Sequence, residues 1–416
     1  MNKRKFWLGF GVLALALTLV LAGGILSAQA EPLTDIEQLG KALFFDEALS
    51  INGTQSCATC HAPEVGYVGP DSTVNAAGSV YQGALPNHFG NRKPPSAAYG
   101  GESPVMWFDG ELWLGGMFWD GRATGWTLGD PLAEQAKGPF LNPLEQALPN
   151  ARVLCVIVSK SSYAFLFKEV WGADSLVCAK GVGLVYDRIG LSIAAYERSA
   201  EVNPFSSKFD YFWGNSKEDD KNVKMINVDN YLDYTGYGLT DEELYGLALF
   251  NDEDKGKCAL CHTLDEGSAG YPLFTDFSYD NLGVPKNPDN PFYTMPHNVN
   301  PDGEGWIDYG LGGFLKAAGY LPAVYEPEFG KHKVPSLRNV DLGTSADFVK
   351  AYGHNGYFKS LEEITHFYNT RDVETWPAPE YSVTVNHAEL GDLGLSLEEE
   401  AAIVLFMTTL SDGHQP

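Results

Sequence analysis

The sequence predicts a mainly α-helical fold in which one small unit occurs twice in tandem, with long loops. Three observations carry that reading. The pentapeptide CATCH at Cys57–His61 returns as CALCH at Cys258–His262. The stretches ahead of them, LTDIEQLGKALFFDE (33–47) and LTDEELYGLALFNDE (239–253), align without a gap and share Leu, Thr, Asp, Glu, Gly, Ala, Leu, Phe, Asp and Glu in register. No strand-rich block appears among the 416 residues.

The first element of each unit is a helix. Thr34 stands three residues before Glu37 and Thr240 three before Glu243, a reciprocal capping pattern followed by apolar residues at helical spacing. A short loop then leads to Cys-x-x-Cys-His. On a helical turn, cysteines three apart share a face, so both sulfurs reach one macrocycle edge while the next imidazole swings under an iron. This is the attachment pattern of haem c. Zinc, a redox disulfide or plain core cysteines are the alternatives. A zinc site needs two further ligands, and neither neighbourhood offers a second Cys or His pair. The expected fold is therefore two tandem cytochrome c-like domains, residues 31–235 and 236–416, each with one covalent haem c. VYDRIGLSIAAYERS (185–199) and SLEEEAAIVLFMTTL (396–410) have the apolar spacing of closing helices, and the polar stretch 214–238 reads as the boundary.

Residues 1–30 combine Lys3, Arg4 and Lys5 with an apolar run and end in Ala28-Gln29-Ala30, the pattern of an export signal or, given the length of the run, a membrane anchor. The expected location is the periplasm. There Cys155 and Cys178 are better read as a disulfide than as two buried thiols. The net charge of −26 argues against a nucleic-acid partner and suits a basic redox protein.

MFWDGRA (117–123), EQAKGPFLNPLEQ (134–146), VPSLRNV (334–340) and YGHNGYFKSLEEITHFYNTRD (352–372) resemble, in order, the bacterial dihaem cytochrome c peroxidase family, including its MauG-type branch. The resemblance covers nearly all the chain after the leader. It implies a peroxidatic haem on Cys57, Cys60 and His61 and an electron-transfer haem on Cys258, Cys261 and His262. It implies Trp119 between them, Gln135 and Glu145 as the distal amide and acid/base, and Pro139 packed above the distal face. The sixth ligand of the second haem falls fourteen residues after His354, on Tyr368, where the ordinary branch has Met and the MauG-type branch Tyr; Met295 is the alternative thioether. The blocking His of the ordinary branch would fall eight residues before Asn91, at Gly83, and His88 has the wrong spacing, so the first haem is expected to be open. The resemblance also implies a calcium held by Asn91 and the carbonyls of Val349 and Ala351, and a homodimer. Arg122 and Arg338 are candidates for haem propionates or for structural ion pairs.

The expected function is an exported dihaem peroxidase that reduces hydrogen peroxide at the N-terminal haem with electrons passed through the C-terminal haem from a small redox protein such as a cytochrome c. A MauG-type oxidase acting on a partner protein or small molecule is the second reading, and a dihaem electron carrier the third. The loop 287–310, with Trp306, reads as a candidate lining for a substrate or partner site.

Overall fold

The computed structural model describes residues 32–415; the expected leader, residues 1–30, lies outside them. Twelve α-helices are present among the described residues. They are α1 (Asp35–Phe44), α2 (Ser72–Ala76), α3 (Pro131–Leu141), α4 (Ala151–Lys160), α5 (Ala164–Trp171) and α6 (Val182–Glu197), then α7 (Lys208–Glu218), α8 (Asp241–Asn251), α9 (Gly310–Ala317), α10 (Pro322–Tyr325), α11 (Leu361–Thr370) and α12 (Leu397–Thr408). Strand is confined to two short antiparallel pairs, β1 (Trp107–Phe108) with β2 (Trp113–Leu114) and β3 (Tyr279–Asp280) with β4 (His332–Lys333). The fold is mainly helical, with two cytochrome c-like domains. No described helix is long and apolar enough to cross a membrane.

The duplication in sequence is a duplication in packing. Capping boxes at Thr34 and Thr240 start α1 and α8, satisfying backbone N–H groups that a helix start leaves open. α1 lies against α6, and α8 against α12. The first pair centres a core of Leu39, Leu43, Phe44, Ile189, Ile193 and Tyr196. The second centres one of Leu247, Phe250, Phe274, Ile403, Phe406 and Leu410. The glycine shared by the two aligned stretches sits at each crossing. A Cβ on Gly40 would lie 1.9 Å from the Ser192 carbonyl oxygen, and one on Gly246 would lie 2.0 Å from that of Ala402.

Phe209, Phe212 and Trp213 of α7 belong to the second core, as do Val223, Ile226 and Tyr234 beyond it. The polar stretch 214–238 thus packs with the residues that follow it. Cys155 and Cys178 form a disulfide that ties α4 to the segment before α6.

Candidate functional site: two cavities sharing a tryptophan

Each Cys-x-x-Cys-His motif begins with a single 3₁₀ turn, Cys57–Thr59 and Cys258–Leu260, and lines its own cavity. The four thiols are free of disulfides. Burial pushes the Cys60 and Cys258 thiols up to about 12. The imidazoles are prepared as ligands. His61 Nδ1 is 3.2 Å from the Tyr67 carbonyl and His262 Nδ1 is 2.8 Å from that of Phe274, which leaves Nε2 of each ring as the donor nitrogen. Burial lowers the pKa of both rings, favouring the neutral, ligating form. This donor set fits one haem c in each cavity.

The two cavities differ in what lines them besides the histidine. In the first, α3 presents Gln135 and Pro139, four residues apart and so on one face, and the turn after α3 presents Glu145. Asn142 donates a 2.8 Å hydrogen bond to Glu145 Oε1. Desolvation raises the Glu145 pKa, opposed by Arg122 and by the Asn142 bond. Gly83 lines the same cavity, and a Cβ there would lie 2.3 Å from the Leu144 carbonyl oxygen and 2.9 Å from that of Glu145. A side chain at that position would therefore require the distal turn to move. His88 is turned away, partly exposed, with Nδ1 3.0 Å from the Pro86 carbonyl.

The second cavity is lined by Tyr368, on α11 one turn after Ile364, which also lines the space. Desolvation, reinforced by the nearby thiols, raises its phenol well above the ordinary value. Met295 is buried in the 3₁₀ segment around residues 291–295 and does not line this cavity, so the alternative thioether is not where the second site needs it.

Trp119 lines both cavities. It is held from two sides: Nε1 donates to the Lys93 carbonyl at 2.9 Å, and its own carbonyl accepts from the Lys333 N–H at 2.9 Å. Phe118, at φ 65°, and Gly121, at φ 74°, make the tight turn that presents it. Arg92, unremarked in the sequence, bridges Asp120 and Asp308 at 2.6 Å each.

Arg338 is a structural ion pair. Its guanidinium bonds to Asp210 at 2.6 Å and to the Pro272 carbonyl at 2.6 and 2.8 Å. Arg122 lines the first cavity while pairing with Asp120 at 2.9 Å. Trp306 packs on Phe292 and Tyr293 within its own loop rather than lining an open site.

The implied calcium cage does not fit. Asn91 lines the first cavity and Ala351 the second, while the Val349 carbonyl accepts a 3.0 Å hydrogen bond from Asn75. Between Val349 and Ala351, Lys350 sends a buried ammonium onto the Val65, Asn339 and Leu342 carbonyls. Lys93 is near enough to depress Lys350 further, burial being the main cause, to about 7. Oxygen ligands are what calcium requires, and two buried ammonium groups nearby oppose a further cation. Neither lysine stood out in the sequence, where only the run RKPPS marks Lys93.

Comparison with known proteins gives the family. The family model for di-haem cytochrome c peroxidase matches residues 34–218. The methylamine utilization protein MauG of Paracoccus denitrificans is 31% identical over 403 residues, covering 92% of this chain and 90% of its own. The chain belongs to the di-haem cytochrome c peroxidase family. The cytochrome c551 peroxidase of Nitrosomonas europaea is 28% identical over 423 residues, covering 99% and 93%. The crystal structure of the diheme peroxidase BthA from Burkholderia thailandensis superposes with a TM-score of 0.70 at 27% identity, over 92% of this chain and 88% of that one. As a member of the family the protein is a di-haem oxidoreductase with two haem c groups, acting with hydrogen peroxide and with an electron donor or protein substrate.

Proposed function

We propose that the protein is an exported, periplasmic peroxidase in which peroxide is cleaved in the Cys57–His61 cavity and electrons arrive through the Cys258–His262 cavity. In this reading the N-terminal domain carries the reactive site, the C-terminal domain the electron-transfer site, and all four motif thiols become thioethers. The observation that carries it is the asymmetry of the cavities: Glu145 and Gln135 line the cavity of the first imidazole, Tyr368 that of the second.

When bound, the two haems supply the redox chemistry. The residues supply the proton chemistry and the path. Reduction of peroxide to two waters consumes two electrons and two protons, and one peroxide oxygen must lose a proton while the departing one gains it. Glu145 takes that proton and returns it, its raised pKa bringing the carboxylic acid closer to neutral pH. Asn142 holds one carboxylate oxygen so that the group keeps its aim. Gln135 offers an amide N–H to an incoming oxygen, and Pro139 limits the space above it. Trp119, touching both cavities, carries electrons between them.

Electron paramagnetic resonance of the ferric, haem-loaded protein before and after stoichiometric peroxide tests the reading. A high-spin signal lost on adding peroxide is expected; two unreactive low-spin signals would instead support an electron carrier.

Tyr368 favours a second reading, oxidation of a partner protein as in the MauG-type branch. A phenolate ligand stabilises the ferric state, lowers the reduction potential and suits a site that stores oxidising equivalents. Peroxide-dependent oxidation of a protein partner, with little turnover of a reduced cytochrome c, would select this reading over the first.

A further inference from the structure

Large aromatic side chains stand in solvent around the β1–β2 hairpin. Trp107 and Phe108 of β1 are 50% and 48% exposed, Leu112 of the same hairpin 40%, and Trp126 49%. Single exposed apolar residues are ordinary, but four large ones side by side mark an interaction surface. The group is contiguous and held in place. Trp126 Nε1 donates to the Met106 carbonyl at 2.8 Å, next to Trp107, and its ring lies 6.3 Å from that of Phe314 on α9. Phe108 lies 5.5 Å from Trp113, its partner in the strand pair, and Trp113 stands edge-on to Tyr320 at 5.6 Å. Asp109 accepts from the Glu111 and Leu112 N–H groups at 2.8 and 2.7 Å, which fixes the tip of the hairpin. Rings fixed before binding lose little entropy when they are covered, which is what an anchor requires.

The underside of this face leads to the electron path. Trp113 packs with Met106 and Tyr279. A Cβ on Gly121, two residues after Trp119, would lie 2.2 Å from Met106 Cε and 2.4 Å from the Tyr279 hydroxyl oxygen. Tyr279 is in β3, where alternation sends successive side chains to opposite sides. Tyr279 joins the apolar group, and Asp280 lines the second cavity. Lys333, opposite Tyr279 in β4, donates its N–H to the Trp119 carbonyl. One strand pair therefore separates the aromatic face from the second cavity.

Charge selects the occupant. Residues 94–136 contain Glu102, Asp109, Glu111, Asp120, Asp130 and Glu134 but a single basic residue, Arg122, which pairs with Asp120 at 2.9 Å. Asp109 and Glu111 are exposed beside the rings. Lys316 of α9 lies over the Tyr325 ring at 5.8 Å. A second copy would bring the same carboxylates and another net charge of −26, and an anionic membrane would be repelled likewise. A positively charged protein is drawn in by the rim while its apolar centre covers the rings.

We propose that the face formed by the β1–β2 hairpin and Trp126 is the docking surface for a small basic redox protein, which delivers electrons to the second cavity across β3 and β4. The proposal rests on the peroxidase reading above and adds where the donor binds. Each encounter transfers one electron, so two donor molecules are oxidised for each peroxide reduced, with two protons, to two waters.

The test uses the haem-loaded protein with a purified basic cytochrome c, in its reduced form, as probe, and ascorbate as a donor too small to need a docking surface. Wild type should oxidise the cytochrome with peroxide at low salt, with a KM that rises with ionic strength. Trp107→Ser combined with Phe108→Ser should raise that KM at least about tenfold, the loss of two anchors. Glu111→Lys should raise it less and flatten the salt dependence. Peroxide reduction by ascorbate should stay at the wild-type rate in both, which also shows that both are folded and loaded. A wild-type KM in both variants overturns the proposal. So does wild-type protein that reduces peroxide with ascorbate but not with the cytochrome, and in that case the peroxidase reading stands. No peroxide reduction with either donor removes that reading, and the docking surface with it. Sedimentation separates the other occupants: a dimer that the Trp107 and Phe108 changes dissociate, or binding to phosphatidylcholine–phosphatidylglycerol vesicles that they abolish, reassigns the face and overturns the proposal.

Discussion

In the proposed mechanism the proton chemistry rests on Glu145, which accepts a side-chain hydrogen bond from Asn142. Glu145→Gln should slow peroxide cleavage by about 10²–10⁴-fold, the range for losing a general acid/base, while both haems remain attached. Stopped-flow mixing with peroxide measures this directly. The sign of the pH dependence follows from the direction of the pKa shift. The base form of Glu145 is needed first, and desolvation raises its pKa, so the rate should fall on acidification at a pH above the usual carboxylate range. Asn142 donates to the charged form and lowers the pKa, so Asn142→Ala should move that acid limb further upward. Calcium is the other residue-level question. With Lys350 and Lys93 buried where an oxygen cage was expected, metal analysis should find no calcium, and a calcium chelator should leave the peroxide response intact. Recovery of one firmly held calcium per chain would show that the cage exists despite the lysines.

At the level of elements, the repeat makes matched predictions in the two halves. Gly40 and Gly246 occupy equivalent positions where α1 meets α6 and α8 meets α12, each against a backbone carbonyl of the partner helix. An exposed helical glycine gains stability when replaced by alanine, but here the methyl group would enter space already filled. Gly40→Ala and Gly246→Ala should each cost about 1–3 kcal/mol in denaturant unfolding. A gain in stability would show that the helices are free to separate. The disulfide closes a loop of 23 residues, and replacing both Cys155 and Cys178 by Ala should cost about 3 kcal/mol without altering either haem spectrum. These features were legible in sequence because their causes are local or paired: a Thr three residues before a Glu, a repeated glycine, two cysteines left over from the motifs. The distal turn was legible through family spacing, but Gly83 signalled only a missing histidine, and the carbonyls that crowd it come from residues 144 and 145. Of the residues that line the second cavity, His354 was legible as part of its motif, but His332, Asp308 and Glu380 were not, because they come from separate segments that no periodicity or spacing connects.

The proposed mechanism requires the two cavities to communicate, and in it Trp119 is the side chain on which that depends. It lines both spaces, and backbone bonds from Lys93 and Lys333 fix it from two directions, so its ring is held in one orientation. Trp119→Phe keeps an aromatic ring but loses the indole N–H that anchors it and is far harder to oxidise. Peroxide should still be consumed in the first cavity at the wild-type second-order rate, because Glu145, Gln135 and Asn142 are untouched. The spectral response of the second haem should slow by at least about tenfold, equivalent to about 1.4 kcal/mol of barrier. Tyr368→Met should act in the opposite compartment. It leaves the rate of peroxide cleavage alone and raises the potential of the second haem, which spectroelectrochemical titration reads independently. The pair of variants separates path from driving force. If Trp119→Phe leaves the second haem as fast as wild type, electrons cross by another route, and the proposed division of labour between the cavities loses its connection.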